Sequence, residues 1–329
     1  MQSDFTTVLL DAALARRANL LNGSSHHTAG RLFNGFTEGN KDLVIDLFGR
    51  TAVIHDYSTD NSDRINLADY LCNRLDFLQA VLLKRRNSDD PALRNGVLLA
   101  GEKCDSFIVD HNVKYALDLQ MNHDNSFYCD TAFLRKYLLE NMRGKRVLNT
   151  FAYTGSLGSA AAAGGAEFVL QSDVSGKFMH TAYRTASLNG FAFTRKNFRA
   201  GDFFAVSSAL RREKAKFDCV ILDPPFFSSS PRGVVDLANN PLGVINKVRP
   251  LVADNGILIA VNNSLYLSGA EFMRQLETLC SDGFVEIEST IPVPEEFTYK
   301  SDQNSMPYPA DPAPFNHPTK IVVLRVHCR

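Results

Sequence analysis

Apolar and polar positions change their rhythm once along the chain. Up to about residue 120, helical and alternating spacings are mixed. Phe5, Leu9, Ala12, Ala13, Ala15 and Leu20 recur near 3.6 residues and predict an amphipathic helix over 5–22. Strand-like runs at 43–48 and 51–55 flank Gly49-Arg50, which predicts a hairpin. Ile65, Leu67, Tyr70, Leu71, Leu75, Phe77, Leu78, Val81 and Leu82 predict a helix over about 65–85, and further strand-like runs follow at 105–119.

From residue 147 strands and helices alternate. Short apolar runs end in small or acidic residues at 147–150, 168–173, 217–223 and 256–263, and a further strand is predicted at 195–198. Helical segments are predicted between them at 156–163, 175–188 and about 239–252. This alternation predicts an α/β fold: a parallel sheet with helices on both faces, preceded by a smaller α+β domain. Seven of the 13 prolines lie between Ile291 and Pro318, a density that no regular helix or central strand tolerates, so 291–318 is predicted to be a long loop before a last strand at 320–325.

Composition narrows this picture. At 45% hydrophobic and 22% charged residues, the 329-residue chain can build a sizeable core. No apolar run reaches the roughly 20 residues of a membrane span, and acids precede the first apolar stretch, which disfavours a secretory signal. Six cysteines lie far apart, without a C-x-x-C pair, as reduced thiols in a cytoplasmic protein do; no metal site is expected. Adjacent His26 and His27 suggest a metal only weakly. Net charge is −1, so charge neither requires nor forbids a nucleic-acid partner. The basic clusters, Lys84-Arg85-Arg86 and Arg211-Arg212, read as solvated helix faces.

Ligands of such sheets bind beyond the carboxyl ends of the strands, so the residues that end each run are the candidates for chemistry. The first run continues as Asn149-Thr150-Phe151-Ala152-Tyr153-Thr154-Gly155 into a small-residue helix, a glycine turn that lets a ligand approach the backbone. It lacks both the G-x-G-x-x-G and P-loop patterns, which disfavours a pyrophosphate. The second run ends at Asp173, followed by Val174; an acid there can accept both hydroxyls of a ribose. Asp202-Phe203 follows the third strand, where an acid can accept from an adenine amino group and a ring can pack on it; a helix-capping Asp and a buried Phe are the plainer readings of each, but three such residues at successive strand ends favour an adenosine-bearing cofactor. Asp223-Pro224-Pro225-Phe226 ends the next run. Two prolines fix a rigid turn that can offer an Asp carboxylate and the Pro224 carbonyl as paired acceptors for an NH₂ group, with Phe226 or Phe227 stacking on a planar substrate.

With these residues in view, 146–329 resembles a class I S-adenosylmethionine-dependent methyltransferase with a Rossmann-like sheet. The stretches RVLNTFAYTGS, QSDVS, GDFF and ILDPPFFSSS resemble the large-subunit ribosomal RNA methyltransferases of the cytosine carbon-5 and guanine-N7 kind. Upstream, Leu117-Asp118-Leu119-Gln120 and Ser126-Phe127-Tyr128-Cys129-Asp130 resemble that family's cofactor-wrapping segment, and 31–35 with 43–46 its small central domain. The resemblance implies S-adenosylmethionine as cofactor, held by Phe127, Asp130, Asn149, Phe151, Tyr153, Thr154, Gly155, Asp173, Val174, Asp202, Phe203 and Asp223. It implies Asp223, Pro224 and Phe226 at the acceptor, and an RNA, most naturally ribosomal, as substrate.

Three departures bear on the chemistry. Only about 30 residues precede the small domain, too few for the PUA domain of the carbon-5 members. Those members carry a nucleophilic cysteine after the fifth strand, where this chain has Val261-Asn262-Asn263-Ser264; the Asn-Asn pair resembles the guanine-N7 relatives instead. Cys219 lies inside an apolar run, where a thiol is inert. Thr131-Ala132 also stands where the family has an arginine after Asp130. Direct methylation of a base nitrogen is therefore expected. A small planar metabolite or a protein amide remains open as substrate, and a non-catalytic adenosine-cofactor binder stands as a distant third. His180 falls mid-helix, and Asp311, Asn316 and His317 stand where the family's tail closes near the substrate. The expected organisation is an N-terminal helix over 1–25, a small α+β domain over 26–120 and the methyltransferase domain over 121–329.

Overall fold

The structure, a computed structural model, describes residues 2–22, 26–59, 64–298 and 317–328. They fall into two units, one of residues 2–130 with 294–298 and one of residues 131–293 with 317–328.

In the first unit α1 (Gln2–Arg16) and α2 (Ala18–Leu21) precede β1 (Ala29–Asn34), β2 (Leu43–Phe48) and β3 (Thr51–Asp56). Then come α3 (Ile65–Arg74), β4 (Ala80–Arg85), α4 (Pro91–Asn95) and β5 (Val97–Ala100), which complete a sheet in the order β1-β2-β3-β4-β5. The predicted hairpin forms: Phe48 pairs with Thr51 and Gly49 takes φ 63°. A second hairpin, β6 (Phe107–Asp110) and β7 (Val113–Ala116), matches the strand-like pattern at 105–119.

Side chains alternate across this sheet. Leu32, Leu43, Ile45, Ala52, Ile54, Val81 and Leu83 join Leu10 and Leu14 of α1 and Leu67 and Leu71 of α3 in one apolar core. Along the other face runs a row of charge, set by the register: Arg31 pairs opposite Asp46, and His55 opposite Lys84. Arg31 Nε donates to Asp46 Oδ1 at 2.8 Å, and Asn125 Nδ2 reaches both Asp46 and His55. Burial works to raise the Asp46 pKa; the Arg31 guanidinium and His55 overcome it and hold the carboxyl well below the usual range. The same burial pushes the His55 imidazole down.

Three expectations are corrected here. The helix predicted over 65–85 ends at Arg74, and 80–85 is strand β4, parallel to β3. Its side chains through Lys84 are buried, and an uninterrupted apolar run carries no period that separates helix from strand. Lys84 is accordingly no solvated helix residue. Its ammonium is fully buried and donates to the carbonyls of Asn122 at 2.9 Å and Asp124 at 2.5 Å, and burial pushes its pKa down to about 8. The helix predicted over 5–22 is broken at Arg17, whose guanidinium turns inward to Ala13 O and to Glu38. His26 and His27 stack on Phe77 and Phe107.

The second unit follows the alternating pattern. Its elements are α5 (Ala132–Asn141), β8 (Arg146–Thr150), α6 (Ser156–Ala163), β9 (Phe168–Asp173), α7 (Gly176–Leu188), β10 (Phe198–Ala200), α8 (Phe203–Arg212) and β11 (Phe217–Leu222). A hairpin of β12 (Phe227–Ser230) and β13 (Gly233–Asp236) comes next, then α9 (Pro241–Val248), β14 (Val252–Asn262), α10 (Gly269–Cys280), β15 (Val285–Ile291) and β16 (Lys320–Val326). Seven strands order as β10-β9-β8-β11-β14-β16-β15. The ladders among the first five are parallel, and β16 runs antiparallel to both its neighbours.

Helices cover both faces. Leu148, Leu170, Val220, Leu222 and Leu258 pack on α8, α9 and α10, whereas Val147, Val169, Cys219, Ile221 and Ile257 pack on α5 and α6. The strand predicted at 195–198 is corrected: Arg195–Asn197 is a 3₁₀ turn closed by a Thr194–Asn197 capping box, and the strand starts at Phe198. The helix predicted to run to 252 stops at Val248, and Arg249–Leu251 forms a 3₁₀ turn into β14. Among the described residues no helix is long and apolar enough to cross a membrane, and no cluster of three or more His, Cys, Asp or Glu is placed to hold a metal.

Candidate active site

In the second sheet the chain reverses its direction of winding between β8 and β11, and sheets of this kind bind their ligands at such a switch point, beyond the carboxyl ends of the strands. Most of the predicted site residues of this unit fall there or at the adjoining end of β9. The Phe151–Gly155 turn leaves β8 through three left-handed backbones: Phe151 at φ 51°, Tyr153 at φ 50° and Gly155 at φ 78°. Two aromatic residues in that region are strained, and strain of this kind gathers where a loop is shaped for a ligand. Gly155 lies tight against the neighbouring helix; a Cβ there would sit 2.6 Å from that of Ala182.

A buried polar chain supports the turn from below. Asn149 Nδ2 donates to Gln171 Oε1 at 3.0 Å, and Gln171 Nε2 donates to Gly155 O at 3.4 Å. The other oxygen-bearing end of Asn149, Oδ1, is buried without a hydrogen-bond partner, as is Ser159 Oγ. A buried acceptor left open is costly unless something fills it, so Asn149 has capacity for a ligand donor. Gln171 escaped the sequence reading, although a glutamine inside the apolar run Phe168–Leu170 was its signal.

Asp173 holds the turn to β9. Its Oδ2 accepts from Tyr153 N at 2.9 Å and its Oδ1 from Ser175 N at 3.0 Å. Burial raises its pKa, and the amides of Ser175 and Tyr153 work the other way. Beside it Val174 is 74% exposed, an apolar surface next to the acid. Thr154 is buried. Asp202 caps α8, its Oδ1 accepting from Ala205 N at 2.9 Å. Phe203 is buried in the core and stacks on Phe151 with ring centroids 4.4 Å apart. Its ring therefore supports Phe151 from beneath.

Beyond β11, the Pro224 carbonyl faces Asn263, whose Nδ2 lies 3.5 Å from it. Asn263 Oδ1 is buried and unpartnered. The loop after β14 is fixed on three sides. Asn262 donates to Leu237 O and accepts from Ser264 N, the buried Lys320 ammonium donates to Ser264 O at 2.9 Å, and Tyr266 N donates to Ser264 Oγ. Phe226 meets Tyr266 at 5.5 Å, and Phe227, Leu265 and Tyr266 are exposed. Phe127 and Asp130 belong to the first unit. Asp311 and Asn316 lie outside the described residues, while His317 Nδ1 accepts from Thr319 N. His180 is an exposed position on α7.

This sheet order, with a strained glycine turn after β8, an acid ending β9 and an Asp-Pro-Pro turn after β11, defines a class I S-adenosylmethionine-dependent methyltransferase. The family described as S-adenosylmethionine-dependent methyltransferase matches residues 77–298, and the chain belongs to it. YwbD of Bacillus subtilis (strain 168), named as a candidate ribosomal RNA large subunit methyltransferase, is 28% identical over 309 residues, covering 92% of this chain and 76% of that one. Ribosomal RNA large subunit methyltransferase I of Aliivibrio fischeri (strain ATCC 700601 / ES114) is 29% identical over 210 residues, or 64% of this chain and 52% of its own length. The chain thus spans about half of that relative. The crystal structure of SMU.776, described as a candidate methyltransferase complexed with SAH, superposes with a TM-score of 0.82 at 21% identity, over 98% of this chain and 81% of that one.

The residues present fit the cofactor: an open buried acceptor at Asn149, a turn that brings backbone close at Gly155, and a carboxylate at Asp173 with lone pairs to spare. S-adenosylmethionine supplies a methyl group already activated on a sulfonium. The chain's part is to bind, align and exclude water.

Proposed function

We propose that this enzyme methylates a base nitrogen of ribosomal RNA by direct transfer, in the cytoplasm. In this reading Asn149, Phe151, Tyr153, Thr154 and Gly155 line the methionine end of the cofactor. Asp173 takes the ribose, and Val174, Asp202 and Phe203 stand about the adenine. Asp223 and the Pro224 carbonyl accept from the substrate, and Phe226 stacks on it.

The observation that carries the proposal is the carboxyl edge of β11 and β14, where the Asp223-Pro224 turn and Asn262-Asn263 follow the strands and, among the described residues, no cysteine ends either one. Carbon-5 methylation needs a thiolate to attack the ring first. Cys219 is fully buried with its pKa pushed up to about 12, so it stays protonated. Cys280 ends α10 and Cys328 follows β16, both at the opposite edge of the sheet. Nitrogen needs no such activation, because its lone pair attacks the methyl carbon directly. The names of the relatives support ribosomal RNA, and exposed Phe227 and Tyr266 support a planar substrate.

The test is transfer of labelled methyl from S-adenosylmethionine into lysate of cells lacking the protein, fractionated into RNA, protein and small molecules. Label at a base nitrogen of large-subunit RNA is the expected result. Label confined to protein or metabolites overturns it. Asp223→Ala should cut transfer at least a thousandfold while cofactor affinity changes less than about threefold, since the loss falls on alignment of the acceptor.

A further inference from the structure

We propose that Asn263 and Tyr266 form a base-reading slot: the exposed Tyr266 ring, backed by Phe226, stacks on a single-stranded RNA base, and Asn263 Oδ1 selects for an exocyclic amino group. This rests on the RNA reading above and names what the site accepts.

Three observations point to the slot. The first is electrostatic. Asn263 spends its Nδ2 on the Pro224 carbonyl, which aligns its Oδ1 beside that carbonyl as a second acceptor, buried and unpartnered. A donor-bearing ligand satisfies this atom, whereas an oxo group set against it brings two lone pairs together and leaves both unpaired. Adenine and cytosine carry an amino group where hypoxanthine and uracil carry an oxygen. The slot therefore separates those pairs.

The second is surface chemistry. Leu265 and Tyr266 are 73% and 77% exposed, and Phe226 and Phe227 continue the same apolar face. Tyr266 meets Phe226 with centroids 5.5 Å apart and planes inclined by 51°, and three quarters of its own surface stays exposed. Stacking on open aromatic faces is how single-stranded bases are held, whatever their identity.

The third is rigidity. An exposed loop with no task has no need of a buried lysine. Yet the Lys320 ammonium donates to Ser264 O and Pro318 O, and Asn262 ties the same loop to Leu237. The two asparagines thus divide the work: Asn262 is buried and holds the loop, and Asn263 faces the Asp-Pro-Pro turn. Such support is what a site needs in order to present a tyrosine in one place.

The experiment measures binding of 5′-labelled 12-mers of oligoadenylate, oligoinosinate, oligocytidylate and oligouridylate to the full chain with S-adenosylhomocysteine present. The wild type should prefer A over I and C over U by about tenfold. Asn263→Leu should bring both ratios below about threefold. Tyr266→Ala should weaken all four oligomers by about tenfold and leave the ratios unchanged. Thermal unfolding of each variant checks that the chain is folded.

Unchanged ratios in Asn263→Leu, or unchanged affinity in Tyr266→Ala, would overturn the slot. Free adenosine and cytidine that compete as well as the 12-mers would overturn RNA as its occupant. Either failure, with methyl label still entering RNA, leaves the parent reading standing; label found only in protein, with no oligomer bound, ends both.

Discussion

The two units of this chain bury polar groups in opposite ways. In the first, charge lies within the body of the sheet. Arg31, Asp46, His55 and Lys84 form a row across four strands, and Asp56 and Glu38 are buried against arginines. In the second, both faces of the sheet are apolar, and buried polar side chains collect at the carboxyl ends of the strands: Asn149, Thr150, Gln171, Asn262. The first arrangement specifies one packing of strands and the loop over them, because each charge is met by particular partners from other strands or from that loop. The second keeps polarity for the place where a ligand arrives. Buried polarity therefore means architecture in one unit and chemistry in the other.

Replacing one residue from each side tests that division, and the largest effect on stability belongs to the first unit. Arg31→Met leaves Asp46 buried at 5% exposure with its main counter-charge gone, which should cost roughly 3 kcal/mol in denaturant unfolding. Asp173→Asn keeps one of the two acceptors and turns an NH₂ toward the other backbone N–H, so it should cost about 1 kcal/mol, well short of Arg31→Met, and should weaken cofactor binding at least tenfold by calorimetry. Equal loss of stability in both variants would break the comparison. The raised Asp173 pKa adds a pH signature: cofactor affinity should fall on acidification earlier than an ordinary carboxylate would cause, and Asp173→Asn should remove that dependence.

The same contrast decides what could be read from the sequence. In the second unit the strands are apolar on both faces, so β8, β9, β11 and β14 stand out as short runs between helices, and the residues that end them announce the site. Helix α6 falls at 156–163 as the pattern has it. The pattern is silent where apolar runs are broken or very short. Strand β15, with only its terminal residues buried, carries no alternation, and β10 is three residues long. In the first unit β4 is an unbroken apolar run that ends in a buried lysine, and such a run carries no period that tells strand from helix. Among the candidate site residues, the positions of Asp173 and the Asp-Pro-Pro turn at the ends of β9 and β11 are legible in the sequence. The stacking of Phe203 beneath Phe151 and the open acceptor of Asn263 were not, because both depend on contacts between distant strands.

Lys84 sharpens the comparison through pH. Its folded pKa of about 8 lies below the 10.5 of a free lysine, so between those values the unfolded chain binds more protons than the folded one. Stability therefore gains from this group as pH rises through that window, and the cost of the charged ammonium is felt in full below pH 8. The gain amounts to about 3 kcal/mol at most, from a separation of roughly two and a half pH units. Lys84→Met should flatten this rise in unfolding free energy between pH 8 and 10. A variant as steep as wild type would mean that the ammonium keeps its ordinary pKa and that the first unit tolerates charge more cheaply than its burial implies.

The smallest effect belongs to the strained turn, where the second unit sacrifices backbone comfort for the shape of its site. Tyr153 sits at φ 50°, its amide donating to Asp173 and its ring edge-on to Phe178 at 4.6 Å. Truncation to alanine removes the ring and keeps a Cβ in the left-handed region; truncation to glycine removes both. In a helix or strand alanine is the more stable of the two by roughly 0.5–1 kcal/mol. Here the order should invert, with Tyr153→Gly more stable than Tyr153→Ala by about 1 kcal/mol in paired unfolding measurements. Both variants should lose cofactor affinity alike, because both lose the ring. If alanine proves the more stable, the turn holds no strain and its unusual backbone is not a cost borne for binding.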